Sequence, residues 1–157
     1  MLVYHGSVEA VSAPDVIHSR RQVDFGPGFY VTPIYEQAAK WAAKYKLRGR
    51  TAVVSSYELD ENALSALPTL NFEGYTESWL DFVLQNRSGS TDDRCAVIIG
   101  GVANDKVFNT VELFLEGLID KGEALKRLRY EKPNLQICFR TQEAIDRCLT
   151  YRGSESL

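Results

Sequence analysis

Short β-rich runs, separated by helical stretches of unequal length, are the feature that most narrows what this chain can fold into. Residues 2–5, 29–32, 51–59 (TAVVSSYEL), 70–72, 95–99 (CAVII), 135–139 and 149–151 read as strands, being rich in β-branched and aromatic residues and bounded by turn signals. Helical patterns lie between them in no regular βαβ rhythm, so the expected class is α+β. Thr32-Pro33 opens the first helix, with a hydroxyl at the N-cap and Pro at N1. That helix runs to about Tyr45 and sets Ile34, Ala38, Trp41 and Tyr45 on one face. Gly49 in the KLRGR run ends it. Thr76 caps another helix, with Trp79, Phe82 and Val83 on one side. Residues 105–129 read as helix interrupted at Gly117 and Gly122, and Pro133 ends that region. Residues 141–148 form a closing helix.

At 157 residues the chain suits a single domain over 1–157 with a sizeable core. A formal net charge of -3 argues against nonspecific nucleic-acid binding through the whole-protein field. Cys95, Cys138 and Cys148 have no metal-ligand spacing and read as reduced thiols of a cytoplasmic protein; no metal is expected. The opening MLVYHGSVEA lacks the basic and apolar regions of a signal peptide. No apolar run is long enough to span a membrane.

Four segments fall in a telling order: Tyr4-His5-Gly6-Ser7, then Phe25-Gly26-Pro27-Gly28-Phe29-Tyr30, then the helix bearing Trp41, then Gln136-Ile137-Cys138-Phe139 before the closing helix. This set resembles the catalytic domain of poly(ADP-ribose) polymerases and their mono-ADP-ribosylating relatives. There a His-Gly pair ends the first strand, a Gly-aromatic-Tyr strand follows, an aromatic sits on the next helix, and a Glu opens a late strand. At closer range, DFGPGFYVTPIYEQAAKWA, WLDFVLQNR, VIIGGVANDKVF and NLQICFRTQ resemble a family of small bacterial proteins of unknown function, held to be distant ADP-ribosyltransferase relatives. Such proteins are often encoded beside a small partner, like a toxin beside its antitoxin. The resemblance spans residues 1 to about 151. It implies an ADP-ribosyltransferase-like split β-sandwich with flanking helices, NAD as substrate, and a small antitoxin protein as partner.

The implied roles are chemically coherent. Tyr30 and Trp41 sandwich the flat nicotinamide. Gly6, lacking Cβ, lets the carboxamide reach its backbone N–H and C=O. His5 hydrogen-bonds a ribose hydroxyl, with Ser7 beside it. Gly28 and Phe29 line the site, and Arg20, with Arg21, pairs with the pyrophosphate. His5, Tyr30 and Gln136 form the catalytic set. Gln136 departs from the pattern, because the polymerases carry a carboxylate there. Gln keeps a hydrogen bond but loses the charge that stabilises a developing cation, a loss of roughly 2–4 kcal/mol. Glu112, Glu131 and Asp105 are candidate substitutes for that carboxylate. In strand alternation Leu135, Ile137 and Phe139 face a core, while Gln136, Cys138 and Arg140 face the side where a cleft lies.

Plainer explanations stand beside these. A His near a strand end often only caps a turn, and Tyr30 and Trp41 are ordinary core aromatics. FGPGFY is common turn chemistry and is not a phosphate loop, since no Gly-Lys-Ser/Thr follows. Asn86-Arg87 and Asp105 are explained by an ordinary Arg–Asp pair, or shape the pocket's adenosine end. The run Lys126-Arg127-Leu128-Arg129 is an exposed helix face or a contact for an acidic partner. The expected function is transfer of one ADP-ribose from NAD to an unidentified protein or nucleic-acid target. The alternatives are an NAD glycohydrolase and a silent NAD-binding or protein-binding module.

Overall fold

The computed structural model describes residues 1–19, 23–90, 94–131 and 134–157. The chain is α+β. Its strands are Leu2–Ser7 (β1), Phe29–Val31 (β2), Val53–Leu59 (β3), Thr69–Asn71 (β4), Val97–Gly101 (β5), Leu135–Phe139 (β6) and Leu149–Ser156 (β7). Its helices are Tyr35–Lys46 (α1), Glu61–Ser65 (α2), Glu77–Arg87 (α3), Asp105–Leu115 (α4), Lys121–Leu128 (α5) and Gln142–Cys148 (α6). Each expected strand run is present, and β7 runs well past the expected end.

Two sheets form. One has the order β1-β3-β7 and is antiparallel throughout. The other has the order β2-β6-β5-β4, with only β4 and β5 parallel. Val3, Tyr57 and Leu59 from the first sheet meet Phe29, Val31, Val97, Ile137 and Phe139 from the second in one buried cluster, which α6 closes with Ala144, Ile145 and Cys148. The alternation of apolar residues in β2 and β6 drives this packing.

The opposite face of the second sheet is also covered. Ile98 and Cys138 pack there with Phe25, Trp79, Leu80, Val83, Val107, Val111 and Leu128, under α3, α4 and α5. The face expected to open on a cleft beside Cys138 is therefore core. On the outside of the first sheet, α1 lays Ala38 and Ala42 against Val54 and Ala52.

Helix boundaries differ from the expectation in three places. The N-cap of α1 is Ile34, because Thr32 Oγ1 accepts from Ile34 N–H (3.1 Å) in the turn before the helix. Helix α2 was not expected; Asp60 caps it by accepting from the Asn62 and Ala63 N–H groups. Gly117, at φ 72°, does end the first half of the 105–129 stretch, but Gly122 lies inside α5, which Asp120 caps. Thr76 caps α3 as expected, accepting from Trp79 N–H. Pro133, with Lys132, lies outside the described residues.

Candidate functional site

Among the described residues, one residue pair bridges the two sheets edge to edge. Tyr4 N–H donates to Thr32 O (2.8 Å) and Thr32 N–H donates to Tyr4 O (2.9 Å). Beyond this bridge the edges of β1 and β2 part. Backbone groups of a strand alternate in direction, so Gly6, two residues after Tyr4, turns its N–H and C=O to the same edge. No strand pairs with it there among the described residues. Tyr30, two residues before Thr32, turns its own N–H and C=O into the split from the other side.

His5 closes the back of this split. Its Nδ1 lies 2.7 Å from Tyr30 O. A carbonyl only accepts, so Nδ1 carries the proton and Nε2 is left as an acceptor. The ring rests on Phe29, with centroids 4.5 Å apart. Burial lowers the His5 pKa below its usual value, opposed by the Tyr30 carbonyl, and so favours the neutral imidazole. His5 and Tyr30 are thus brought together through the backbone carbonyl of Tyr30 and not through its ring.

The Tyr30 side chain lies on the other face of its sheet, with Cys138. Its Oη donates to Gly26 O (2.5 Å) and accepts from Phe25 N–H (3.2 Å), which pins the FGPG turn over the sheet. Burial pushes its phenol pKa up, with Cys138 adding to the shift, so it stays protonated. Burial likewise pushes the Cys138 thiol up to about 12, which leaves it unreactive. Cys95, Cys138 and Cys148 are all free thiols.

Four expected ligand-lining residues have other work. A Cβ on Gly6 would lie 2.2 Å from Ala38 O and 3.0 Å from Ala42 N, so the missing side chain admits α1 and leaves only the backbone edge for a ligand. A Cβ on Gly28 would lie 2.6 Å from both Cys138 Sγ and Phe139 O, so Gly28 admits β6. Phe29 is buried in the central cluster, where it meets Tyr57 edge-on and supports His5 from beneath. Ser7 Oγ donates to Glu9 O and caps a turn. Arg20 and Arg21 lie outside the described residues.

Trp41 is 44% exposed, with Lys44 Nζ 5.0 Å from its ring centroid. It sits one helical turn past Gln37, whose Nε2 donates to Leu135 O (3.0 Å) at the start of β6. Residues four apart share a helix face, so Trp41 stands on the side of α1 that looks toward the second sheet. It is not a core aromatic.

Gln136 is the largest departure. It is 8% exposed, and its Nε2 donates to Asp24 Oδ2 (3.3 Å) and to Gly101 O (3.2 Å). Both partners only accept, which fixes which end of the amide faces them. A planar amide then turns Oε1 away from Gly101 and β5. Asp24 also accepts from Ala103 N–H (2.9 Å) at Oδ2 and from Arg87 Nη2 (2.8 Å) at Oδ1. Arg87 stacks on Phe108 at 4.6 Å, and Glu112 lies 3.8 Å from its Nη1. The partner of Arg87 is therefore Asp24 and not Asp105, which opens α4. Asn86 is buried and donates to Phe82 O (2.8 Å) within its own helix. The role of Asp24 was missed in the sequence; a lone acid directly before a buried Phe and a glycine turn was the available signal.

A separate surface hollow of ≈ 420 Å³, lined by Tyr75, Leu125, Leu128, Arg129 and Glu131, lies on the α3–α5 side and touches none of these residues. Glu131 lines that hollow. Among the described residues, no three His, Cys, Asp or Glu side chains gather as a metal site, and no helix is long and apolar enough to cross a membrane.

A family model described as "Protein of unknown function (DUF3990)" matches residues 1–151. The chain is a member of that family. Searches of curated proteins and of solved structures returned no match.

Proposed function

We propose that the chain is an NAD-dependent ADP-ribosyltransferase-like enzyme working at the split between β1 and β2. The observation that carries this reading is the strand edge at Gly6, which no strand pairs among the described residues, beside His5, whose Nδ1–H is held by Tyr30 O so that Nε2 is left as the acceptor. A primary carboxamide carries one carbonyl and an NH2 group, which complement the C=O and N–H of a strand edge. A ribose hydroxyl complements Nε2. Trp41 offers an exposed aromatic face for the nicotinamide ring, and the backbone of Tyr30 forms the opposite lip. Arg20 stays in the proposal as a pyrophosphate contact, on the resemblance alone.

In the proposed reaction the bond from the ribose C1′ to the nicotinamide nitrogen breaks. Its electron pair leaves with nicotinamide, and C1′ passes through an oxocarbenium-like state. A nucleophile on the target then bonds to C1′ and gives up its proton. Gln136 Oε1 contributes the negative end of a dipole and no full charge, which favours one slow transfer over chain elongation. The resemblance supports a further proposal, that the protein acts as a toxin held by a small antitoxin protein.

A second reading, NAD binding without turnover, is favoured by the same neutral Gln136. Hydrolysis, with water as the acceptor, is a third product of the same pocket. The test is incubation of the protein with labelled NAD, with and without cell extract. Label on a macromolecule supports transfer, and free ADP-ribose supports hydrolysis. Binding by calorimetry with neither product supports the silent module. Absence of binding and of released nicotinamide at high protein concentration sinks the NAD reading. His5→Ala is expected to abolish whichever activity is found.

A further inference from the structure

We propose that Asp24 is a positioning residue that locks the Gln136 amide with its nitrogen on Asp24 and Gly101 and its acceptor oxygen turned from both; its catalytic consequence rests on the NAD reading above. Asp24, just before the turn that Tyr30 pins, collects donors from three other parts of the chain. Arg87 Nη2 reaches it from α3, Ala103 N–H from the segment after β5, and Gln136 Nε2 from β6. Gly101 O takes a second donation from Gln136 Nε2. Both amide hydrogens are then spent on acceptors behind the side chain, and rotation by half a turn would set Oε1 against a carboxylate and a carbonyl. Gln136 therefore presents an acceptor and never a donor.

Arg87 holds Asp24 in its turn. Its stack on Phe108 and the nearby Glu112 fix the guanidinium, so the carboxylate keeps one orientation. Stability alone does not call for this arrangement, since well-packed apolar residues often replace a buried ion pair without loss. What apolar residues would not supply is a set direction for the Gln136 dipole. A hydroxyl donor such as a ribose diol is the ligand group that an acceptor-only amide suits.

The experiment reads the Gln136 side-chain amide by 1H–15N NMR in the protein without ligand. The expected result is slow hydrogen exchange at Nε2 in the native protein, and exchange about tenfold faster or more in Asp24→Asn, with β5 and β6 backbone amides still protected. Arg87→Lys, which keeps a cation beside Asp24, should retain part of the slow exchange. Fast exchange in the native protein overturns the lock without need of any variant. An unchanged Gln136 amide in Asp24→Asn overturns it as well. The second arm measures NAD affinity and nicotinamide release. Asp24→Asn should lower the rate at saturating NAD by about tenfold while the dissociation constant moves by no more than about twofold. Equal losses in rate and affinity, tracking lost stability, overturn the catalytic consequence. Failure of the native protein to bind NAD overturns the NAD reading, while the amide exchange still decides whether Asp24 sets Gln136.

Discussion

In a Gln136→Glu variant, a carboxylate replaces an amide whose nitrogen donates to Asp24 Oδ2 at 3.3 Å and to Gly101 O at 3.2 Å. The change supplies the charge found in the polymerases, but it sets two carboxylates and a carbonyl face to face. At an effective dielectric constant of about 20, two unit charges at that separation repel by about 5 kcal/mol. Protonating the introduced carboxylate at pH 7, from an ordinary value of about 4.3, costs about 4 kcal/mol and so sets the ceiling. The protonated acid then has one donor where the amide had two, and the bond lost to Gly101 adds about 1 kcal/mol. The expected loss is about 4–5 kcal/mol at pH 7 and about 2 kcal/mol at pH 5. The direction follows from linkage. The folded-state pKa of the introduced carboxyl lies above its unfolded value, so the penalty is absent below the unfolded value and grows as pH rises toward the folded one. Urea unfolding of the native and variant proteins at both pH values measures the difference, and contributions common to both, such as that of His5, cancel. A deficit equal at the two pH values, or larger at pH 5, would refute the reasoning.

Gly6→Ala should lose about 2–3 kcal/mol of stability in the same assay, because its Cβ meets Ala38 O at 2.2 Å and helix backbone has to move. An NMR titration should place the His5 pKa below 6.5, with burial as the cause. The unfolded chain then takes up the proton first as pH falls, so stability drops below pH 6.5, and His5→Gln should flatten that slope. Trp41→Ala should change stability by less than about 1 kcal/mol, given its exposure, yet weaken NAD binding about tenfold through lost stacking. Arg87→Met should destabilise by about 3–5 kcal/mol, because it leaves buried Asp24 without its cation.

Sequence patterning alone determined the α+β class and the place of every strand. Alternation in residues 29–31 and 135–139, and turn residues at their ends, act over a few positions and need no partner to be read. The Thr76 cap was legible for the same reason. What tertiary structure decided was which side of each residue is free. Gly6 and Gly28 look alike as permissive glycines, yet each is filled from one side, by α1 and by β6. Cys138 and Gln136 share a strand face, but only long-range packing covers that face with Phe25 and α3. Asp24, Arg87 and Gln136 are far apart in the chain, and no local period announces their contact. The resemblance to the polymerases is what singles out Gln136 in the sequence. The fold makes it the end of a buried hydrogen-bond chain, because a carboxylate more than a hundred residues earlier and the Gly101 carbonyl both accept from its amide nitrogen.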